Sequence, residues 1–366
     1  MAAPKNALLA KLLKNSTQKH TSVMSDSKLF TTETVLTDIP ILNLALSGSL
    51  RSGLDSGVIS VAAPSKHFKS LLSLFMVSAY MKKYPESICL FYDSEFGSPP
   101  EYLKMYDIDI DRVVHTPITT IEELKHDITV QTKGIERGDK VIIFMDSVGN
   151  LASEKETLDA EKGENKTDMT RAKALKSMFR IVTPQMKLKD IPCVVINHTY
   201  ETLEMFSKTT MSGGTGIMYS SNTVIFITKA QEKDGADLAG FKFTLVTEKS
   251  RSVREKSKFP LTVTFKDGIN KYSGLLDLAL ELGFVEKPSN GWFCRVIDGV
   301  VEDKKWRRSE SDCDEFWDVL LNSDAFERAC NERYKLAKGE VNPNNVEEEV
   351  DIDEDEIDLD SAEFTE

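Results

Sequence analysis

GVISVAAPSKHFKSLL, residues 57–72, sets seven small or β-branched residues directly before a polar turn and a helical pattern. A run with no polar alternation is a strand covered on both faces, the usual state of a parallel sheet. The turn itself, Ala63 to Ser70, reads A-P-S-K-H-F-K-S. It lies on the phosphate-loop template G-x-x-x-x-G-K-[ST], in which backbone N–H groups wrap phosphates, the lysine meets the β and γ phosphates and the hydroxyl binds magnesium. Lys69 and Ser70 match that template, whereas Ala63 and Phe68 stand at both glycine positions. A Lys-Ser pair opening a surface helix is common, so the turn alone decides little about chemistry.

Working outward, the same punctuation repeats. Apolar runs at 57–63, 87–93, 112–116, 140–146 and 191–197 are separated by helical stretches at 70–83, 100–105, 120–136 and 169–187. Strands alternating with helices predict an α/β fold with a mostly parallel central sheet. Beyond residue 220 the helices vanish, and TVIFIT (223–228), FKFTLVT (241–247) and FPLTVTF (259–265) predict antiparallel additions to that sheet. Residues 273–340 predict a small C-terminal α+β domain: a helix at LLDLALELG, a hairpin from Gly291 to Trp306 and one helix from Cys313 to Leu336. The core domain is placed at 30–272. Residues 1–29 form an N-terminal segment whose Leu8, Leu9, Leu12 and Leu13 share one helical face, to pack on the core or on a neighbouring subunit.

Two acids sit where later strands end, Glu95 in F-Y-D-S-E and Asp146 in V-I-I-F-M-D. Open parallel sheets collect ligands outside their carboxyl ends, and a helix N-terminus offers free N–H groups to an anion. The expected site therefore joins Pro64, Ser65, Lys66, His67, Phe68, Lys69 and Ser70 on phosphates, Ser70 and Asp146 on Mg2+, and Glu95 activating water. The bland alternative is that each acid merely caps a turn.

The segments I-P-I-L-N-L-A-L-S-G, P-S-K-H-F-K-S, C-L-F-Y-D-S-E-F-G, D-S-V-G-N-L-A, I-N-H-T-Y-E-T, S-G-G-T-G and E-K-S-R-S-V-R-E-K-S-K-F carry a family pattern. The chain resembles the RecA-like recombinases, most closely their phage T4-type branch, over nearly its whole length. The resemblance implies a RecA-like ATPase core that binds ATP and Mg2+. Phenylalanine at the second glycine position is a trait of the T4-type branch; Ala63 departs from it. By the same resemblance Glu95 is the catalytic glutamate, Asp146 the magnesium-side acid, Tyr102 the ring on adenine and His198 the sensor of the γ phosphate. Lys249 and Arg251 resemble cations that reach a neighbour's nucleotide, the plainer reading being a solvated strand end.

Two stretches without strong periodicity, 152–168 and 199–222, match the DNA-binding loops of that family. In the second, Phe206, Met211 and Met218 are candidates to wedge between bases. Lys208 and the backbone of Gly213, Gly214, Thr215 and Gly216 would serve phosphates. Arg171, Lys173, Lys176 and Arg180 recur at helical spacing and would line the same groove or simply form a solvated face.

The expected function is an ATP-dependent recombinase that forms helical filaments on single-stranded DNA and exchanges strands with homologous duplex. Other readings are a non-hydrolysing filament or mediator protein and a ring helicase. A single-strand binding protein and a loading mediator are implied as partners, and AMP beside ADP as product. The site of action expected is the cytoplasm of a phage-infected bacterium: the five cysteines are scattered without a zinc-like pair, and no stretch approaches a membrane span.

Charge at first argues against nucleic acid, with 46 basic against 59 acidic residues and a net of -13. Residues 347–366 hold 12 of those acids and no base, leaving 46 against 47 elsewhere. Such a block self-repels and lacks apolar surface to order itself, so residues 341–366 read as an acidic tail. It is a solubility device or a tethered DNA mimic competing for a basic groove. Under the second reading, deleting residues 347–366 tightens single-stranded DNA binding at moderate salt. An unchanged Kd across a salt titration leaves solubility as its role.

Overall fold

The computed structural model describes residues 6–30, 33–164, 170–202, 209–235 and 237–336. Residues 1–336 form one unit, and a second, 337–366, which includes the acidic block, lies outside the described residues. The chain opens with α1 (Ala7–Asn15) and α2 (Pro40–Ser47). It then alternates β1 (Gly57–Ala63), α3 (Lys69–Lys83), β2 (Ile88–Asp93), α4 (Pro100–Lys104), β3 (Val113–Pro117), α5 (Ile121–Gly134) and β4 (Val141–Asp146). There follow α6 (Glu154–Glu161), α7 (Thr170–Lys189), β5 (Pro192–Glu201), β6 (Thr209–Met211) and α8 (Gly216–Ser220). The antiparallel ribbon is β7 (Thr223–Asp234), β8 (Asp237–Ser250), β9 (Lys258–Thr264) and β10 (Gly268–Ile269). Last come α9 (Leu275–Glu281), β11 (Val285–Ser289), β12 (Trp292–Ile297), β13 (Val300–Val301), β14 (Trp306–Arg307), α10 (Asp314–Leu321) and α11 (Asp324–Tyr334).

The main sheet runs β10-β9-β8-β7-β1-β5-β4-β2-β3, with β6 paired to the end of β5; β11 to β14 make a separate four-stranded sheet. Strands β3, β2, β4, β5, β1 and β7 are mutually parallel. Their side chains divide by period two between two cores. Ile59, Val61, Ile142, Phe144, Val194 and Ile196 face the cluster that also holds α2, α3 and α9 to α11. Val58, Ala62, Ile143, Met145, Cys193 and Val195 face the cluster under α5 and α7. Coverage on both sides is why these runs lack polar alternation. Helix α5 starts where Thr120 and Glu123 form a reciprocal capping box, which satisfies two otherwise orphan N–H groups.

Several expectations are corrected. The strand at 223–234 is parallel to β1, Ile59 standing opposite Thr223, because residues 212–222 carry the chain past β1 to the sheet's amino end; of the three expected antiparallel additions, β8 and β9 are antiparallel. Of the stretch 152–168, residues 165–168 lie outside the described residues and the rest is no plain loop: Ser153 accepts the Glu156 N–H and starts α6. Likewise β5 continues to Glu201 and doubles back as β6, with α8 behind it. The helix expected over 313–336 is two, since the Ser323 hydroxyl caps the Phe326 N–H and begins α11 afresh. Helix α2 was not anticipated; its residues Pro40 to Leu46 are buried on every side, so no amphipathic stripe marks it. Helix α1 forms as expected but buries no residue, and Leu8 and Leu12 face solvent.

All five cysteines are free thiols, and burial pushes Cys89 and Cys193 up to about 12. Among the described residues no cluster of three His, Cys, Asp or Glu side chains could hold a metal ion, and no helix is long and apolar enough to cross a membrane.

Candidate nucleotide site

The sheet order puts the carboxyl ends of β1, β5, β4 and β2 side by side, and with them the anticipated residues. Ala63 is the last residue of β1, buried opposite His198 of β5. It is not among the residues with positive φ, so its methyl group meets no backbone penalty there. Pro64, Ser65 and Lys66 are exposed, and the His67 ring pairs with the Ser65 carbonyl at 2.8 Å. Phe68 precedes α3 at φ 66° and ψ 13°, the left-handed conformation for which the template uses glycine.

Lys69 opens α3, is 7% exposed and donates to the Pro64 carbonyl at 3.0 Å. Burial lowers its ammonium, while the Glu95 and Asp146 carboxylates pull it back up in part. The first N–H groups of α3 have no intrahelical acceptor, as at any helix N-terminus.

Asp146 ends β4 opposite Asp93 of β2 and is 5% exposed; a cis peptide bond joins it to Ser147. Burial drives its carboxyl up to about 6, opposed by the Ser70 hydroxyl and Lys69 and reinforced by Glu95 and Asp93. The folded chain therefore holds this proton more tightly than the unfolded chain, where the usual value is 3.8. That stabilisation is complete below pH 3.8, falls as pH rises through 6 and is gone at pH 7.5. Asp146→Asn should consequently raise Tm of the protein alone at pH 7.5 by about a few degrees, and have little effect near pH 4. Differential scanning calorimetry at both pH values decides it; an unchanged or lower Tm at pH 7.5 refutes the assignment.

Glu95 lies just beyond β2. Its Oε1 receives three groups: the Ser147 hydroxyl at 2.7 Å, Asn150 Nδ2 at 2.8 Å and His198 Nε2 at 2.8 Å. Burial alone raises this carboxyl, but the Ser147 and His198 contacts and the charge of Lys69 outweigh it, holding it below the usual glutamate range. The turn carrying Glu95 is fixed by Asp93, a strand-end acid that sequence reading passed over. Asp93 Oδ1 accepts the N–H of Glu95 and of Phe96, and Oδ2 pairs with His115 Nε2 at 3.1 Å. Ser147 and Asn150 lay in the quoted segment D-S-V-G-N, yet nothing in their spacing pointed at Glu95.

His198 joins this centre to the glycine-rich turn. Its carbonyl accepts the Ser212 N–H at 2.8 Å, and Asn197 Nδ2 donates to the Ser212 carbonyl. Gly149 passes so close that a Cβ there would sit 2.6 Å from the His198 ring. Gly213 and Gly214 have positive φ, and at Gly216 a Cβ would meet Lys176 of α7 at 2.8 Å. These glycines thus let the turn lie on α7; Thr215 is exposed.

Other expected contacts are corrected. Met211 is 1% exposed in the core beneath α7, so it offers nothing to a base in this conformation. Arg171 is not a free groove cation: it donates to the Leu151 carbonyl at 2.8 Å, to Ser212 Oγ at 3.2 Å and to the Gly149 carbonyl, clamping two loops together. Lys173, Lys176 and Arg180 are exposed. Lys249 gives its ammonium to the carbonyls of Met218, Tyr219 and Ser221 at 2.9, 2.9 and 3.0 Å, capping the end of α8, whereas Arg251 is exposed. Tyr102 on α4 is half-buried, edge-on to Tyr106 at 5.5 Å. Phe206 and Lys208 lie outside the described residues.

Comparison with known proteins shows the family of the chain. The RecA N-terminal domain family matches residues 7–270, and the family described as bacteriophage T4 recombination and repair protein, C-terminal domain, matches residues 272–330. The recombination and repair protein of Enterobacteria phage T4 is 52% identical over 352 residues, covering 94% of this chain and 90% of that protein. The RecA proteins of Mycobacteroides abscessus and Streptomyces avermitilis are 25% and 24% identical over 278 residues, covering 74% of this chain and 78% and 71% of theirs.

Proposed function

The chain belongs to the RecA family of recombinases, and on that premise we propose that it polymerises on single-stranded DNA with ATP and Mg2+ and pairs that strand with homologous duplex. The observation that carries this is the meeting of Lys69, Ser70, Glu95 and Asp146 at adjacent strand ends, with His198 linking Glu95 to the glycine-rich turn.

The loop 64–70 and the N-terminus of α3 bind the triphosphate, and Lys69 meets its β and γ oxygens. Ser70 and Asp146 are hard oxygen donors of the kind Mg2+ takes, and Asp146 is buried at the end of β4. Together they would hold Mg2+, which would supply positive charge against the triphosphate. Glu95, kept ionised, orients and deprotonates the attacking water. Tyr102 lies against the base. His198, bonded to both Glu95 and the Ser212 backbone, passes the state of the γ phosphate to residues 212–216. There Gly213, Gly214, Thr215 and Gly216 meet the DNA backbone. Arg251 reaches the neighbour's nucleotide. Lys249 joins it only by releasing three carbonyls. The exposed leucines of α1 dock on an adjacent subunit. The protein acts in the cytoplasm of an infected bacterium, with a single-strand binding protein and a loading mediator, and yields AMP beside ADP.

The test is hydrolysis of ATP with and without single-stranded DNA, run beside a pairing assay between circular single strands and linear duplex. Stimulation by DNA together with ATP-dependent joint molecules supports the reading. Pairing without hydrolysis indicates a filament or mediator protein, and closed rings in electron micrographs a helicase.

A further inference from the structure

The phosphate loop holds two non-glycine residues in the left-handed region, Lys66 at φ 61° and Phe68 at φ 66°. An L-residue keeps that conformation only where its surroundings over-determine it. Both are held from one ribbon. The Phe68 ring stacks on Phe243 of β8, centroids 4.9 Å apart and planes at 20°, and Phe243 is itself 4% exposed core. The Lys66 carbonyl accepts Lys229 Nζ of β7 at 3.2 Å. That ammonium sits 3.6 Å from the centre of the Phe241 ring, which in turn lies 6.2 Å from Phe243.

We infer that Phe243 and Lys229 are positioning residues for the phosphate loop, supplying from the antiparallel ribbon the constraint that lets phenylalanine and lysine take a glycine-like backbone. Without the stack, Phe68 relaxes out of the left-handed region, and the N–H groups and Lys69 that follow it lose their aim. The inference rests on the reading of this loop as a nucleotide site.

Its test is a rescue. Mg2+-dependent binding of a fluorescent ATP analogue to the full-length chain is measured for wild type, Phe243→Ala, Phe68→Gly, Phe68→Gly/Phe243→Ala, Lys229→Met and Lys69→Ala. Phe243→Ala is expected to raise Kd about tenfold and Lys229→Met about threefold. The double variant is expected to bind within about threefold of Phe68→Gly alone, because glycine populates the left-handed region without a stack. Packing of the core alone gives no such rescue, so a double variant as weak as Phe243→Ala overturns the inference, as does Phe243→Ala binding within about twofold of wild type. Should Phe243→Ala fail to fold, Phe243→Leu keeps apolar bulk without the flat ring and is held to the same rescue. Wild-type binding by Lys69→Ala overturns the nucleotide-site reading itself, whereas weak Lys69→Ala with an unrescued Phe243→Ala overturns only the positioning role.

Discussion

Lys69→Ala should lower DNA-stimulated ATP hydrolysis by at least about a hundredfold and abolish joint-molecule formation, with thermal stability little changed. The ammonium is 7% exposed and lies in the field of Glu95 and Asp146. It offsets those carboxylates, and on the proposed reading it faces the triphosphate. Its loss leaves two acids to repel the triphosphate. The bond to the Pro64 carbonyl also disappears, but Phe68 on Phe243 and the burial of α3 still hold the loop, so the fold should survive. Lys69→Arg keeps charge but not length and is expected to recover little. The measurement is steady-state hydrolysis across an ATP titration with saturating single-stranded DNA. Activity of Lys69→Ala at wild-type level would falsify the site as drawn.

Glu95→Gln should separate binding from turnover. A glutamine Oε1 accepts from Ser147, Asn150 and His198 as the carboxylate does, so the local arrangement and the link to Ser212 persist. Removed are the negative charge and the ability to take a proton from water, worth roughly 10²- to 10⁴-fold in rate. The variant is expected to bind ATP with near wild-type affinity and to hold single-stranded DNA longer, because the bound nucleotide is no longer spent. It should still form joint molecules. Single-turnover hydrolysis, nucleotide binding and DNA dissociation rates check this; a rate within about tenfold of wild type removes Glu95 from the role of base.

The comparison of Glu95 with Met211 shows how far local pattern reaches. Glu95 and Asp146 were legible because a strand's end is marked by where its apolar run stops, and strand ends in a parallel sheet share one edge. Met211 in a glycine-rich stretch reads as a surface residue, yet β6 turns it into the core. Arg171 and Lys249 look like free cations on paper. Their carbonyl acceptors belong to other loops, and a backbone acceptor leaves no trace in composition.

By itself the sequence determined the α/β class, the parallel core, and the placing of residues 63–70 and two acids at the ends of buried strands. These follow from periodicity and from the abrupt ends of buried runs, which are properties of neighbouring residues. Tertiary structure alone decided that β5 lies between β1 and β4, that β7 is parallel, that Asp93, Ser147 and Asn150 hold Glu95, and that Phe68 rests on Phe243. Those contacts join residues far apart in the chain. Their energies arise only when the sheet has closed and water has left, so no window of sequence contains them.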